Sequence, residues 1–526
     1  MTRTSADIAA GLAAPRPARP IAPGTRLHVM GVGGAASAGA ALHAAAVGAI
    51  VTACDAGGPD PLSLTVQASG IPIVWANGPE HVRDGDERVV DRLAVTKAVT
   101  SVRPDHPELE AARSLGIEPE SVQQVIADAA ITRGQRLIGV TGTHGKSTTS
   151  GWLLHILVAA GRDPAGFVGA QLPSSVTGGA RGVARFGRGP EFVVEADEYA
   201  GNFDPYVPDI AVLISAEWDH PDVFPDETAV VAAFHDWVVR AGTLVVNRGD
   251  RGAERVVERL GAWPGRRIDV RLTTGEGPDP TPDPGAAATV VGRIVQEDAA
   301  GTELEISGLR GGGGAGGAGG AASGPVDRVR LRLLGRHLAI DGLMAAGGAL
   351  AAGVDPDAIL AGLASFEGVG RRFELKGDVG GVVVLDDYAH HPTAMRATFQ
   401  AARLRYPGRR LWAVYEPLTF HRTAAMIDAF AEVLAEADRA AIVDIWAVRD
   451  PDTTITSSAA LAAATTALGG IPAQATGTPE ATAGYLADHV EPGDVVLVMG
   501  GGRSYVAANR LVELLRAKAG EAADPA

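Results

Sequence analysis

The run Thr141-Gly-Thr-His-Gly-Lys-Ser-Thr148 carries the residue types that hold a triphosphate. It follows an apolar stretch at 137–140 and precedes a helix-compatible one at 152–158. A strand, a tight glycine turn and a helix N-terminus then meet at one point, where backbone N–H groups and the helix dipole attract anions. Gly142, Thr143, His144, Gly145 and Thr148 would wrap the phosphates. Lys146 would reach the β- and γ-phosphates, and the Ser147 hydroxyl would face Mg²⁺. The common pattern G-x-x-x-x-G-K-[ST] is not strictly met, because Val140 stands where its first glycine belongs; Gly142 takes over the turn.

A cation needs more than one oxygen. The apolar run at 192–194 ends in Glu195 and continues Ala-Asp197-Glu198, and the run at 211–215 is followed by Ala-Glu217-Trp-Asp219-His220. As neighbouring parallel strands they deliver acids and a histidine to the carboxyl edge of a sheet, where ligands sit in open α/β folds. That makes an oxygen-rich pocket suited to Mg²⁺. A single acid after a strand is equally a helix cap or a solvated turn, so the metal reading rests on the conjunction with the loop. A second glycine motif, Gly31-Val-Gly33-Gly34-Ala-Ala36, follows a short strand, and Asp55 closes the next one. Alone this reads as a dinucleotide site or as a structural turn, and any diphosphate ligand can use it. Together the two motifs imply ATP at one site and a nucleotide-activated substrate at the other.

The elements that must position these residues alternate strand and helix. Strands are predicted at 26–31, 49–55, 71–76 and 136–140, with helices at 35–47, 108–115 and 121–130. Buried strands follow at 191–196, 210–215 and 244–247, their continuous apolar character suiting a parallel sheet covered on both faces. A last block opens at 381–385 and continues through 411–415, 440–445 and 495–499. The reading is an α/β chain: a disordered tail over 1–24, a domain at 25–130, a central domain at 131–367 and a third at 368–526. The Pro-rich stretch near 275–286 and the Gly-rich stretch near 310–325 read as flexible inserts of the central domain. The end of the chain, 521–526, reads as a second tail.

With 526 residues, the length suits three or four domains. Lys plus Arg number 46 against 62 Asp plus Glu, a balance that excludes a duplex-binding protein and predicts no nucleic-acid partner. One cysteine, Cys54, allows no internal disulfide. No secretory signal or membrane-spanning run is read, so the expectation is a cytoplasmic protein without a membrane partner, monomeric or homodimeric.

The motifs Thr141-Gly-Thr-His-Gly-Lys-Ser, Glu195-Ala-Asp-Glu, Asp219-His220, Gly370-Arg-Arg-Phe-Glu374 and Asp386-Asp-Tyr-Ala-His-His-Pro392 resemble those of the Mur ligases. These are ATP-dependent amide-forming enzymes of peptidoglycan assembly. The likeness runs from about Arg26 to Leu515 and implies a Rossmann-like N-terminal domain, a P-loop ATPase-like central domain and a Rossmann-like C-terminal domain. The N-terminal glycines, the 386–392 run and Asp444-Ile-Trp-Ala-Val-Arg-Asp450 look most like members joining L-alanine to UDP-N-acetylmuramate. The resemblance implies ATP and Mg²⁺ as cofactors, with Gly31, Gly33, Gly34 and Asp55 on the UDP-sugar. It implies Ser147 and Glu195 on one Mg²⁺, His220 on a second, Asp387 on the ATP ribose, and Arg371 or Arg372 at the γ-phosphate. Tyr388, His390 and Arg422 would line the amino-acid site, Arg422 on its carboxylate. Lys146 and Arg372 would stabilise the transferring phosphoryl group, and His220 or His390 would take the amine's proton.

The chain departs from the family pattern at Leu338 and Asp341, where asparagines are usual. It departs again over Ala35-Ala-Ser-Ala38, and at Glu416 and Leu418. Two alternatives stay open: a recycling ligase attaching a whole tripeptide, towards which Glu195-Ala-Asp-Glu-Tyr199 and Tyr415-Glu-Pro417 lean, and a nucleotide-binding homologue without catalysis. A polyglutamate-forming relative is further off, since it lacks the sugar domain.

Overall fold

Each of the three main sheets is built on parallel strands whose residues are apolar almost throughout, and each is covered by helices on both faces. The computed structural model describes residues 4–274, 283–310, 325–447, 450 and 452–520. The first sheet orders Ile73–Val74, Ile50–Cys54, Arg26–Met30, Arg92–Val95 and Glu120–Ser121, all parallel. The second has ten strands. In it Arg136–Thr141 lies at the centre, with Glu191–Glu195 on one side and Ile210–Leu213 on the other. It then runs through Thr243–Asn247, Arg266–Thr274 and Ala288–Asp298 to an antiparallel edge of Gly301–Ser307 and Asp327–Leu331. The third orders Glu374–Val379, Val382–Asp387, Val495–Met499, Leu411–Tyr415, Arg439–Val443 and Ala473–Gly477, parallel after the first antiparallel pair.

The helix Lys146–Ala159 buries Trp152, Leu153, Leu154, Ile156 and Leu157 between the central sheet and the helices Arg336–Ala351 and Pro356–Ser365. Trp152 stacks on Phe366 with ring centroids 4.9 Å apart. The opposite face of this sheet shares a continuous core with the first unit, where Ala-rich Ala35–Ala46 packs on Ala165–Leu172. Small residues let that helix approach closely: a Cβ on Gly39 would run into the Phe167 ring.

Two expectations change. The acid-bearing strands are not neighbours of each other; they flank the phosphate-loop strand, one on each side. And residues 4–24, expected as part of a disordered tail, lie against the first unit. Thr4 caps the short helix Ser5–Ile8, and Ile8 and Ile21 are buried. Arg16 pairs with buried Asp128 at 2.7 Å and with Glu120 at 3.0 Å, two acids that also hold Arg92. An arginine shared between two buried acids ties the segment down, which composition alone does not reveal. Of the two inserts, 275–282 and 311–324 lie outside the described residues, as do 1–3 and the 521–526 tail. No helix among the described residues is long and apolar enough to cross a membrane.

Candidate active site

Strand Arg136–Thr141 turns through Gly142 (φ 143°) and Gly145 (φ 80°) into the helix that starts at Lys146. Gly145 gives this helix no side-chain cap, so its first N–H groups remain donors for an anion. Lys146 folds back over the turn. Its Nζ donates to the Gly142 carbonyl at 2.7 Å and to Glu198 Oε2 at 2.8 Å, with Asp197 Oδ1 at 3.7 Å. Burial opposes the charge of Lys146, but these carboxylates outweigh it and raise its pKa. The ammonium is therefore held charged where a phosphate would sit.

The flanking strands bring the acids together. Ser147 Oγ donates to Glu195 Oε1 at 3.1 Å, and the other Glu195 oxygen accepts from Gly169 N at 2.7 Å. Asp197, Glu198 and His220 form a second group whose donor atoms all lie within 4.8 Å of one another. His220 adopts φ 55°, a left-handed conformation uncommon outside glycine, and its Nε2 stands 3.7 Å from Glu198 Oε1. Burial pushes Glu198 up to about 7 even with Lys146 alongside. Asp197 and Glu198, expected with His220 in an oxygen-rich pocket at the sheet edge, are brought together there.

The third unit closes on this edge. Arg372 Nη2 donates to Ser147 Oγ at 3.4 Å, and its guanidinium lies 5.0 Å from the Tyr388 ring centre. Arg371, read as the alternative phosphate contact, points elsewhere. It donates to the carbonyls of Gly500 (2.7 Å) and Gly502 (3.1 Å) and to Ser504 Oγ (2.7 Å), with Asp386 3.3 Å from its Nε. Arg371 holds the third unit's own glycine loop.

Three further assignments meet prior commitments. Both Asp387 oxygens accept backbone N–H groups, from Phe373 and Ala389, each at 2.7 Å, so Asp387 shapes the chain at this edge. Arg422 is buried and paired with buried Asp219 at 2.8 Å, a bridge between the central and third units. Burial disfavours the Asp219 charge, but Arg422 outweighs it and holds the carboxyl well below the usual carboxylate range. An incoming carboxylate must share Arg422 with Asp219. His390 Nδ1 donates to the Tyr388 carbonyl at 2.8 Å, which leaves the lone pair on Nε2, and burial keeps the ring neutral. A second bridge runs through Glu217, which meets His144 Nε2 at 3.0 Å and accepts from Thr393 Oγ1 at 2.8 Å.

At the positions that depart from the family pattern, Leu338 and Asp341 are buried on the helix Arg336–Ala351. The Asp341 carboxyl packs against Gly145, and burial raises its pKa well above the usual carboxylate range.

In the first unit Gly31 has φ 80° and Gly34 starts helix Ala35–Ala46 without a side-chain cap. Asp55 accepts from Gly33 N and Gly57 N, each at 2.7 Å, so it fixes the glycine turn. A Cβ on Gly33 would run into the carboxylates of Asp60 and Asp55.

Two family models match the chain: "Mur ligase family, catalytic domain" over residues 26–133 and "Mur ligase, glutamate ligase domain" over 371–502. A UDP-N-acetylmuramate--L-alanine ligase of Kineococcus radiotolerans is 36% identical over 496 residues, 93% of this chain and 96% of that protein. This chain belongs to the Mur ligase family. The ligase of the same name from Mycolicibacterium smegmatis is 33% identical over 94% of this chain and 95% of its own. Among solved structures, the UDP-N-acetylmuramate-alanine ligase of Thermotoga maritima superposes with a TM-score of 0.72 at 20% identity, covering 94% of this chain and all of that one. A murein peptide ligase from Psychrobacter arcticus gives 0.68 at 22%, over 94% of this chain and 99% of its own. Both have the three-unit α/β fold described above.

Proposed function

We propose that this Mur ligase joins L-alanine to the lactyl carboxylate of UDP-N-acetylmuramate at the expense of ATP, releasing ADP and phosphate in peptidoglycan synthesis. The observation that carries the reaction type is the approach of Arg372, from the third unit, to Ser147 of the phosphate loop beside Lys146 and Glu195. The amine substrate follows from the L-alanine ligases that align with over nine-tenths of the chain.

The lactyl carboxylate attacks the γ-phosphorus; the acyl phosphate forms as ADP departs. Negative charge spreads over the γ-phosphoryl oxygens, so the step needs positive charge in fixed positions more than covalent help. Lys146 from the phosphate loop and Arg372 from the third unit supply it, and each such contact is worth a few kcal/mol. The oxygen donors Ser147 and Glu195, and the group Asp197, Glu198 and His220, suit Mg²⁺. Bound there, Mg²⁺ would neutralise phosphate charge. In the second step the L-alanine amine attacks the acyl carbon, the C–N bond forms, and the C–O bond breaks as phosphate leaves with the bridging oxygen and the electron pair. His390 Nε2, already carrying its lone pair, takes the amine proton. The bridges Arg422–Asp219 and Glu217–Thr393 keep the third unit closed and water away from the mixed anhydride.

The test is ADP release with UDP-N-acetylmuramate and a panel of amines: L-alanine, L-serine, glycine and a murein tripeptide. L-Alanine should give the highest kcat/KM. A preference for the tripeptide would assign the recycling reaction, and no amine-stimulated release would leave a nucleotide-binding protein only.

A further inference from the structure

A second cluster of metal-binding side chains lies in the first unit, outside the cleft. His28 sits on Arg26–Met30, Cys54 ends Ile50–Cys54, His81 ends the short 3₁₀ helix Pro79–His81, and Glu108 lies in the first turn of Pro107–Ser114. Four separate elements thus each present one donor atom, all within 4.8 Å of one another. Cys54, the only cysteine of the chain, is among them. Glu108 is central: Oε1 is 3.2 Å from His28 Nε2, Oε2 is 3.3 Å from His81 Nδ1, and Cys54 Sγ is 3.7 and 3.8 Å from the two oxygens. The side chains of Glu108, His28 and His81 are 0%, 2% and 6% exposed, and Cys54 is fully buried.

The bonding inside the cluster is incomplete in a telling way. His28 Nε2 faces Glu108 yet meets no hydrogen-bond geometry, and buried His81 Nε2 has no hydrogen-bond partner either. His28 Nδ1 is 2.8 Å from Thr52 Oγ1, which anchors the ring and turns Nε2 inward. A metal-bound imidazole shows this arrangement, with its second nitrogen held by an outer oxygen. Glu108 Oε2 also accepts from Gly78 N at 3.2 Å and meets His81 Nδ1 in hydrogen-bond geometry, so the buried nitrogen that faces the carboxylate unmatched is His28 Nε2.

We propose that His28, Cys54, His81 and Glu108 bind a zinc ion that fixes the first unit's sheet. Two nitrogens, a sulfur and an oxygen form a borderline-soft set, whereas Mg²⁺ and Ca²⁺ take oxygens. Tetrahedral zinc with bonds of about 2.0–2.3 Å spaces its ligands by roughly 3.3–3.8 Å. From Oε2, His81 Nδ1 at 3.3 Å and Cys54 Sγ at 3.8 Å match that spacing, and His28 Nε2 stands 3.2 Å from Oε1. Four protein ligands close the coordination sphere, so the ion is structural. On binding, the Cys54 S–H bond breaks, its proton leaves to solvent and the sulfur lone pair forms the Zn–S bond. Burial and Glu108 push the thiol up, and a dication at this point reverses that balance. Cys54 directly precedes Asp55, which holds the glycine turn, so the ion would brace the strand end that carries it.

The full chain, produced with zinc and dialysed against a weak chelator, should retain one equivalent of zinc. Exchanged into cobalt(II), it should show a thiolate-to-cobalt charge-transfer band in the near ultraviolet. The active-site group Asp197, Glu198 and His220 has no sulfur, so the band assigns the site. Cys54→Ser should lose the band, and His28→Ala the retained zinc. Absence of both zinc and band from the unsubstituted protein overturns the proposal, and so does retained metal without the band. Neither reading requires a variant to fold, and neither depends on ligase turnover.

Discussion

The adjacent arginines Arg371 and Arg372 point in different directions, Arg371 into the third unit's own glycine loop and Arg372 towards Ser147 of the phosphate loop. Arg372→Ala should lower kcat for ADP release about 10²–10³-fold with little change in the unfolding midpoint, since it removes charge stabilisation at the phosphoryl group. Arg371→Ala should instead destabilise the glycine loop at 500–504, lowering the midpoint. Equal kinetic losses with unchanged midpoints would merge the two roles. Glu416 gives a pH test. It is buried, accepts from Ser504 N at 2.7 Å, and burial raises its pKa from 4.5 to about 7. A raised carboxyl pKa contributes stability that is complete below about pH 4.5 and is lost as pH climbs through 7. Between pH 5 and about 8 the unfolding midpoint of Glu416→Gln should therefore fall less than that of the unsubstituted protein. Parallel pH profiles would mean that Glu416 is ionised throughout. Residue identity made the chemistry of Lys146, Ser147 and Glu195 legible. It could not separate Arg371 from Arg372, or foresee that Asp219 would already hold Arg422, because both outcomes depend on contacts across more than a hundred residues.

At the scale of the element, the loop between Arg136–Thr141 and Lys146–Ala159 depends on backbone freedom at Gly145. A Cβ there meets the Asp341 carboxyl, and φ 80° strains any other residue. Gly145→Ala should cost about 1–2 kcal/mol from the backbone alone and abolish nucleotide binding, as read by thermal shift with ATP. A normal ATP-dependent shift would show that the loop tolerates distortion. Such elements were readable wherever a strand has an apolar interior: 136–140, 411–415 and 495–499 lie in sheets as expected, and 191–196 does so as far as Glu195. The antiparallel edge Gly301–Ser307 and Asp327–Leu331 went unread, because alternating charges such as Glu303, Glu305, Arg328 and Arg330 mask its apolar face. The segment at 4–24 went unread because its anchors, Asp128 and Glu120, come from a helix and a strand far along the chain.

For the whole molecule, the buried Arg422–Asp219 pair ties the third unit to the central one. Removing one partner of a buried pair leaves an uncompensated charge and costs about 3–5 kcal/mol. Arg422→Met should therefore loosen closure, increasing the radius of gyration seen by small-angle scattering and raising the KM for L-alanine. The double variant Arg422→Met, Asp219→Leu should regain the compact form but not the KM. An unchanged radius in the single variant would locate closure in the Glu217–Thr393 bridge. The central claim is that this closed cleft brings ATP and the sugar carboxylate together so that phosphate is carried on the acid before the amine arrives. Turnover of UDP-N-acetylmuramate labelled with heavy oxygen in its lactyl carboxylate tests it most directly. One labelled oxygen should appear in the released phosphate for each amide formed; unlabelled phosphate beside a labelled amide would contradict the account.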